Sequence, residues 1–96
     1  MKQNEKHPKI MAYSVIFSKR AFKDLASIPD PYYSSIRQAI RGLAQNPRPA
    51  GCKKLIGRTS YRIRVGNYRV IYTIEDNQLI VNVIGVGHRK NVYQIR

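Results

Sequence analysis

Residues 61–72, YRIRVGNYRVIY, constrain the fold of this chain more than any other segment. Side chains alternate between the two faces of a strand, and a central Gly-Asn pair is typical of a two-residue hairpin turn. Pairing across that turn places Arg64 opposite Arg69 and leaves Arg62 on the same face. Because like charges directly across two strands repel, the pattern predicts that this face binds an anionic ligand.

Two helices are predicted between a first strand, AYSVIF (residues 12–17), and the hairpin. Ser18 is a suitable N-cap for a helix over residues 19–28. Asp30 and Pro31 are suited to the start of a second helix, as its cap and first helical residue, which is expected to end at Asn46 before a proline. The apolar stripes predicted to be buried are Phe22, Leu25 and Ala26 in the first helix, and Ile36, Ala39, Ile40 and Leu43 in the second.

A third strand of the meander is predicted over residues 79–87, after a two-residue turn at Asp76 and Asn77. Simple alternation then assigns its side chains to the two faces of the sheet. Leu79, Val81 and Val83 join the tyrosines Tyr61, Tyr68 and Tyr72 on the core face, while Gln78, Ile80, Asn82, Ile84, Val86 and His88 join the arginine face. The order strand–helix–helix–strand–strand–strand predicts an α+β fold, an antiparallel sheet with a two-helix hairpin packed on one face.

The net charge of the chain indicates which kind of partner it binds. The 96 residues contain 18 Lys and Arg against 5 Asp and Glu, a net charge of +13. A field of this size favours polyanions, nucleic acid first, although an acidic protein partner also fits. The loop over residues 47–60 contributes Lys53, Lys54 and Arg58, which we expect to hold phosphates without reading sequence.

Several classes of protein are disfavoured. No apolar run approaches the roughly 20 residues of a membrane span, and Cys52 alone makes neither a disulfide framework nor a thiolate zinc site. Glu75 and Asp76 fall in a predicted turn and His7 in the polar leader, so we expect no metal and no cofactor. The expected organisation is a flexible leader over residues 1–10 and one cytoplasmic domain over residues 11–96.

The segments YRIRVGNYRVIY and GHRKNVY resemble the RelE/ParE superfamily of toxins from type II toxin–antitoxin systems, as does MAYSVIFSKRAFKDL at residues 11–25. Since that family commonly begins near MAY, either Met1 or Met11 is the native start. The resemblance implies two alternative activities. RelE-like members cleave messenger RNA in the ribosome, whereas ParE-like members inhibit DNA gyrase and cleave nothing.

In the ribonuclease branch, the resemblance places five functional residues on this sequence. Arg62 and Arg64 match two basic positions on the first hairpin strand, Arg69 an arginine on the next strand, Arg89 an arginine after the last strand, and Tyr93 a C-terminal tyrosine. Some relatives have lysines where Arg62 and Arg64 stand, and an arginine does not give up its proton. We therefore expect His88 and Tyr93 to share the proton transfers, in an order that the sequence leaves open, with the arginines on the phosphate.

The favoured prediction is a metal-independent endoribonuclease acting on ribosome-bound messenger RNA. A gyrase inhibitor and a non-catalytic module for structured RNA are the alternatives. Either toxin activity implies a cognate antitoxin, a small acidic protein that folds on binding across the arginine face, where Ile71, Ile80 and Ile84 would add apolar contacts.

Overall fold

The computed structural model describes residues 12–88 of the 96-residue chain. The elements, in chain order, are β1 (Ser14–Phe17), α1 (Lys19–Ala26), α2 (Tyr32–Gln45), β2 (Lys53–Lys54), β3 (Tyr61–Val65), β4 (Tyr68–Glu75) and β5 (Ile80–His88). The predicted α+β class with two helices is confirmed. The predicted leader, Arg89 and Tyr93 lie outside the described residues.

The five strands form one mixed sheet in the order β1-β5-β4-β3-β2. Strands β2 to β5 are antiparallel, as predicted, but β1 runs parallel to β5, with Ser14 beside Ile80. The all-antiparallel prediction is therefore wrong at β1, because alternation within a strand does not show which strand becomes its neighbour. The predicted loop over residues 47–60 also contains the short strand β2, which pairs with β3.

The β3–β4 hairpin has the predicted register. Arg64 lies opposite Arg69, Arg62 lies opposite Ile71, and Ile63 lies opposite Val70. Gly66 begins the turn with φ of +61°, a backbone angle that residues with a Cβ rarely adopt. The Gly-Asn pair therefore fixes which side chains share a face.

The β4–β5 turn is longer than predicted. Glu75 pairs with Ile80, so residues 76–79 form the connection instead of Asp76 and Asn77 alone. Leu79 has φ of +55° in this turn and does not belong to the strand. Because the register differs by two residues, Val81 and Val83 still point to the core, where both are fully buried.

A β-bulge interrupts the alternation of β5. Tyr72 pairs with Val83, whereas the preceding residue Ile71 pairs with Gly85, so that Ile84 is an extra, unpaired residue. An extra residue shifts every later side chain to the opposite face. The prediction that Val86 lies on the arginine face is therefore wrong, and Val86 is buried in the core instead.

The helices begin and pack largely as predicted. Ser18 caps α1, since its Oγ accepts a hydrogen bond of 3.0 Å from the N–H of Ala21. Helix α2 begins one residue later than predicted, with Pro31 as its N-cap and Tyr32 as its first residue. Asp30 precedes the cap, and its side chain accepts a bond of 3.0 Å from the N–H of Ser34. The face of α2 that carries Ile36, Ile40 and Leu43 is buried.

The buried stripe of α1 differs from the prediction. Ala21 and Leu25 are buried one turn apart, whereas Phe22 is 68% exposed and Ala26 is exposed too. A helix of eight residues buries a narrow stripe, and the i, i+4 pair occupies it here.

Both helices cover one face of the sheet. The core contains their buried residues together with the inward side chains of β3, β4 and β5, namely Ile63, Val70, Tyr72, Val81, Val83 and Val86. The other face, called the open face below, has no helix over it within residues 12–88. No helix in this described part is long and apolar enough to cross a membrane.

Candidate nucleic-acid interface

Four cationic side chains lie on the open face at the β2–β3–β4 end of the sheet. Arg64 is directly opposite Arg69, and Lys53 is directly opposite Arg62. We call Lys53, Arg62, Arg64 and Arg69 the arginine surface. The sheet therefore brings together the predicted Arg62, Arg64 and Arg69 and adds Lys53, which had been assigned to a loop.

Burial distinguishes Arg62 from its neighbours. Arg62 is only 6% exposed, whereas Arg64 is exposed and Arg69 is half-buried. Within residues 12–88, the guanidinium of Arg62 makes no hydrogen bond or ion pair with another side chain. The guanidinium nitrogens of Arg62 keep some contact with solvent, so its charge is partly desolvated. A partly desolvated charge favours a counter-ion, because desolvation is costly without one. An anion such as a phosphate oxygen would supply it.

Of the four acidic residues in the described chain, Glu75 is exposed on the open face at the far end of β4 from Arg69, and the other three have partners away from this surface. Asp24 is on α1 beside Arg20, at 3.6 Å, and Asp76 forms a two-bond pair with Arg48, at 3.0 and 3.3 Å. The carboxylate of Asp30 is bonded to Ser34. Among residues 12–88, no carboxylate is recorded against Lys53, Arg62 or Arg64, so these three positive charges are not neutralised within this part of the chain.

His88 is not on the arginine face, contrary to the prediction. The bulge at Ile84 turns it to the helix-covered side, where it pairs with Tyr68 across the strands. The two rings meet edge to face with centroids 5.9 Å apart, and Tyr68 in turn contacts Tyr32 at 5.6 Å. The imidazole thus belongs to an aromatic row at the end of the sheet.

The same bulge creates a feature that the sequence analysis missed. Gly85 lies opposite Ile71 and Gly87 opposite Arg69, so this part of the open face carries no side chain on β5. A strand without side chains lets another backbone approach closely. The glycines two residues apart in IGVG were the available signal, but simple alternation put them on the core face.

The predicted tyrosine assignment is confirmed. Tyr72 is fully buried, and Tyr61 and Tyr68 are half-buried against the core. Burial raises the pKa of Tyr72, and its hydroxyl donates a hydrogen bond of 2.7 Å to the carbonyl oxygen of Pro47. This ring therefore has a structural role.

The remaining predicted contact residues lie near the arginine surface but outside it. Lys54 pairs with Tyr61 at the edge of the sheet, and Arg58 is exposed in the segment between β2 and β3. Arg89 and Tyr93 lie outside the described residues.

The family model for the ParE toxin of type II toxin–antitoxin systems matches residues 15–93. The chain belongs to the RelE/ParE superfamily of toxins. This membership confirms the predicted resemblance, and the architecture is also that of solved RelE structures.

Named relatives are toxins of the RelE type. The chain is 30% identical to toxin RelG of Mycobacterium tuberculosis over 88% of this chain and 99% of that protein. It is 28% identical to the mRNA interferase toxin RelE of Escherichia coli K12 over 83% of this chain and 86% of that one.

A solved structure gives the same result. The toxin–antitoxin complex RelBE2 of M. tuberculosis contains a chain that superimposes with a TM-score of 0.74 at 28% identity, covering 86% of this chain and 98% of that one. This RelE/ParE chain is thus a RelE-like toxin of the type II class.

Proposed function

We propose that this RelE-like toxin is a metal-independent endoribonuclease that cleaves messenger RNA on the ribosome and so inhibits translation. The observation that carries the proposal is the cluster of cations on the open face: Arg62, a residue only 6% exposed, lies among Lys53, Arg64 and Arg69, with no carboxylate against it among residues 12–88. The E. coli relative named as an mRNA interferase supports the same activity.

The reaction that fits this surface begins with attack of a ribose 2′-oxygen on the adjacent phosphorus. The new P–O2′ bond gives a 2′,3′-cyclic phosphate, the P–O5′ bond breaks, and a base takes the 2′-OH proton while an acid protonates O5′. Negative charge builds up on the phosphorane oxygens between these events. Guanidinium groups fixed on a sheet stabilise that charge, and the low exposure of Arg62 limits the water that competes with it.

Proton transfer is assigned to Tyr93 by resemblance and to His88 because an imidazole can accept a proton. His88 contacts Tyr68 on the helix-covered side of the sheet, so within residues 12–88 the imidazole does not face a phosphate held on the arginine surface. Arg89 completes the phosphate-binding set in this proposal. Lys53, Lys54 and Arg58 hold the flanking RNA backbone.

The proposal includes a cognate antitoxin, a small acidic protein that folds across the open face. The M. tuberculosis neighbour was solved as a toxin–antitoxin complex, and the net charge of +13 suits an acidic partner. One predicted apolar contact is corrected, since Ile71 is only 3% exposed beneath Leu55 and Ile84. Ile80 and Ile84 are half-buried and remain available.

The test is to add the purified toxin to programmed ribosomes and to map RNA ends by primer extension. We expect new ends with the wild type and, for Arg69→Ala, a cleavage rate lower by about 30- to 1,000-fold, which corresponds to roughly 2–4 kcal/mol of transition-state stabilisation. Intact message at high toxin excess, with loss of DNA supercoiling by gyrase, would establish the ParE-like alternative. A 5′-phosphate on the downstream fragment, in place of the 5′-hydroxyl that 2′-oxygen attack leaves, would contradict the proposed reaction.

A further inference from the structure

A groove of about 770 Å³ lies on the open face next to the arginine surface. Segment 54–60 provides its wall, and Thr73 of β4 and Ile84 of β5 provide its floor. We call it the 54–60 groove. The groove is wide open to solvent, so it can contact one side of a ligand and does not enclose it.

The wall of the groove is held in place by its own hydrogen bonds. The N–H of Leu55 donates to the carbonyl oxygen of Ser60 at 2.9 Å, and the N–H of Arg58 donates to the carbonyl oxygen of Leu55 at 3.2 Å. Leu55 also packs on Ile71. The segment is therefore a closed turn anchored to the sheet.

The floor of the groove continues directly from the arginine surface. Ile71 lies opposite Arg62 across β3 and β4, and it packs against Ile84 and Leu55. Only Ile71 therefore lies between Arg62 and Ile84, the apolar residue of the groove floor. A ligand with an anionic part at Arg62 can place its neighbouring part in the groove.

The lining suits a nucleoside. Leu55 and Ile84 give apolar surface for the face of a base, Thr59 and Thr73 give hydroxyl groups for the ribose, and Arg58 adds positive charge. No carboxylate is among the lining residues. A purely apolar ligand would leave Lys54, Arg58 and the hydroxyl groups unused, and a purely anionic one would leave Leu55 and Ile84 unused.

We propose that the 54–60 groove is a nucleoside subsite that binds the unit next to the phosphate held by Arg62. The proposal rests on the proposed function in one respect, because it takes the anion at Arg62 to be an RNA phosphate. RNA is then held at two neighbouring places, a charged one and a mainly apolar one. The second place contributes base-dependent affinity that the arginine surface alone does not provide.

The experiment compares two fluorescein-labelled hexanucleotides by anisotropy, one intact RNA and one with every base removed. Both carry the same number of phosphates, so the ratio of their dissociation constants reports contacts to the bases. We expect base removal to weaken binding to the wild type at least tenfold. In Thr73→Glu, which places a carboxylate on the groove floor, we expect a ratio below threefold.

Gln38→Glu is the matched control, because it adds the same charge at an exposed position of α2 on the other side of the sheet. It should keep the wild-type ratio. If Thr73→Glu does not fold, Thr59→Glu at the exposed wall takes its place. A ratio near one in the wild type, or an unchanged tenfold ratio in the groove variant, overturns the proposal.

The ribosome assay separates this subsite from the proposed function. Cleavage lost in Arg62→Ala, together with a base-independent affinity in the wild type, would leave the function standing and remove the subsite. A base-dependent ratio that Thr73→Glu abolishes, from a toxin that cleaves no message, would leave the subsite standing and remove the function.

Discussion

Arg62 and Arg64 occupy the same face of β3 two positions apart, yet they meet different surroundings. Arg64 is solvated, whereas Arg62 is 6% exposed, lies opposite Ile71 and is accompanied by Lys53. Replacing a largely buried arginine that has no recorded side-chain partner by an apolar residue of similar length is neutral or stabilising, because the partial desolvation of its charge is then avoided. Function and stability should therefore respond in opposite directions at this one residue.

Arg62→Met should raise the free energy of unfolding by about 1 kcal/mol while lowering RNA cleavage by about 100-fold. Urea denaturation and the ribosome assay measure the two quantities. Arg64→Met is the control, since an exposed arginine should change stability by less than about 0.5 kcal/mol. A clear loss of stability in Arg62→Met would show that the guanidinium is a structural group.

At the scale of the elements, α1 holds the bulge of β5. The hydroxyl of Ser18 donates to the carbonyl oxygen of Ile84 at 3.2 Å, and the carboxylate of Asp24 accepts a bond of 3.0 Å from the N–H of Val86. Both contacts reach across about 60 residues of sequence, at separations of 66 and 62. One helix therefore fixes the place at which the last strand changes its alternation.

Asp24→Ala should lower the free energy of unfolding by about 1.5–3 kcal/mol, because the N–H of Val86 loses a charged acceptor in a partly buried position. Arg20→Ala removes only the exposed ion pair of Asp24, so it should cost less than about 1 kcal/mol. Urea denaturation of both variants provides the comparison. Equal losses would mean that the ion pair, and not the bond to the bulge, is what matters.

At the scale of the whole molecule, the charges are segregated. The arginine surface lies toward one end of the sheet. At the β4–β5 turn, Arg48, Tyr13 and Asp76 form a separate hydrogen-bonded cluster. There Asp76 accepts bonds from Arg48 and from the hydroxyl of Tyr13 at 2.7 Å, and the guanidinium of Arg48 lies 5.4 Å from the ring centroid of Tyr61. These contacts join β1, β3, the loop after α2 and the turn.

The hydrogen bonds from Arg48 and Tyr13 lower the pKa of Asp76 below its ordinary value of 3.8. A carboxyl group with a lowered pKa stabilises the fold above its unfolded pKa, and this contribution is lost as the pH falls through the folded value. Asp76→Asn should thus be less stable than the wild type at pH 6, with the difference shrinking below about pH 4. Urea midpoints at several pH values measure it.

Glu75→Gln is the control for Asp76→Asn, because Glu75 is the adjacent carboxylate and its side chain has no recorded hydrogen-bond partner within residues 12–88. The pH dependence of the wild type should persist in it. A difference between wild type and Asp76→Asn that stays constant down to pH 2 would contradict the assignment.

Local patterns predicted much of this molecule. The Gly-Asn turn gave the register of the arginines, and the 3.6-residue spacing gave the buried face of α2. Both depend on neighbours in sequence, which propensity and alternation describe well. The parallel pairing of β1 and the extra residue at Ile84 depend on contacts between distant segments, so no local pattern contains them.

In the candidate site too, some features depend on neighbours in sequence and others on contacts between distant segments. Arg62, Arg64 and Arg69 follow from alternation within one hairpin, but the burial of Arg62 depends on the sheet around it. His88 was misplaced because alternation was carried through a bulge whose anchors are on α1. The 54–60 groove depends on Leu55 packing on Ile71, a contact between a loop and a strand.

The extra residue Ile84 determines which face of the sheet each later side chain of β5 occupies. Deleting that single residue would bring Gly85 and Gly87 under the helices and turn Val86 and His88 outward, with no change in their identity. A bare backbone strip would be exchanged for two bulky side chains beside Arg69. The groups that β5 presents on each face therefore depend on the number of residues along the strand as well as on their identity.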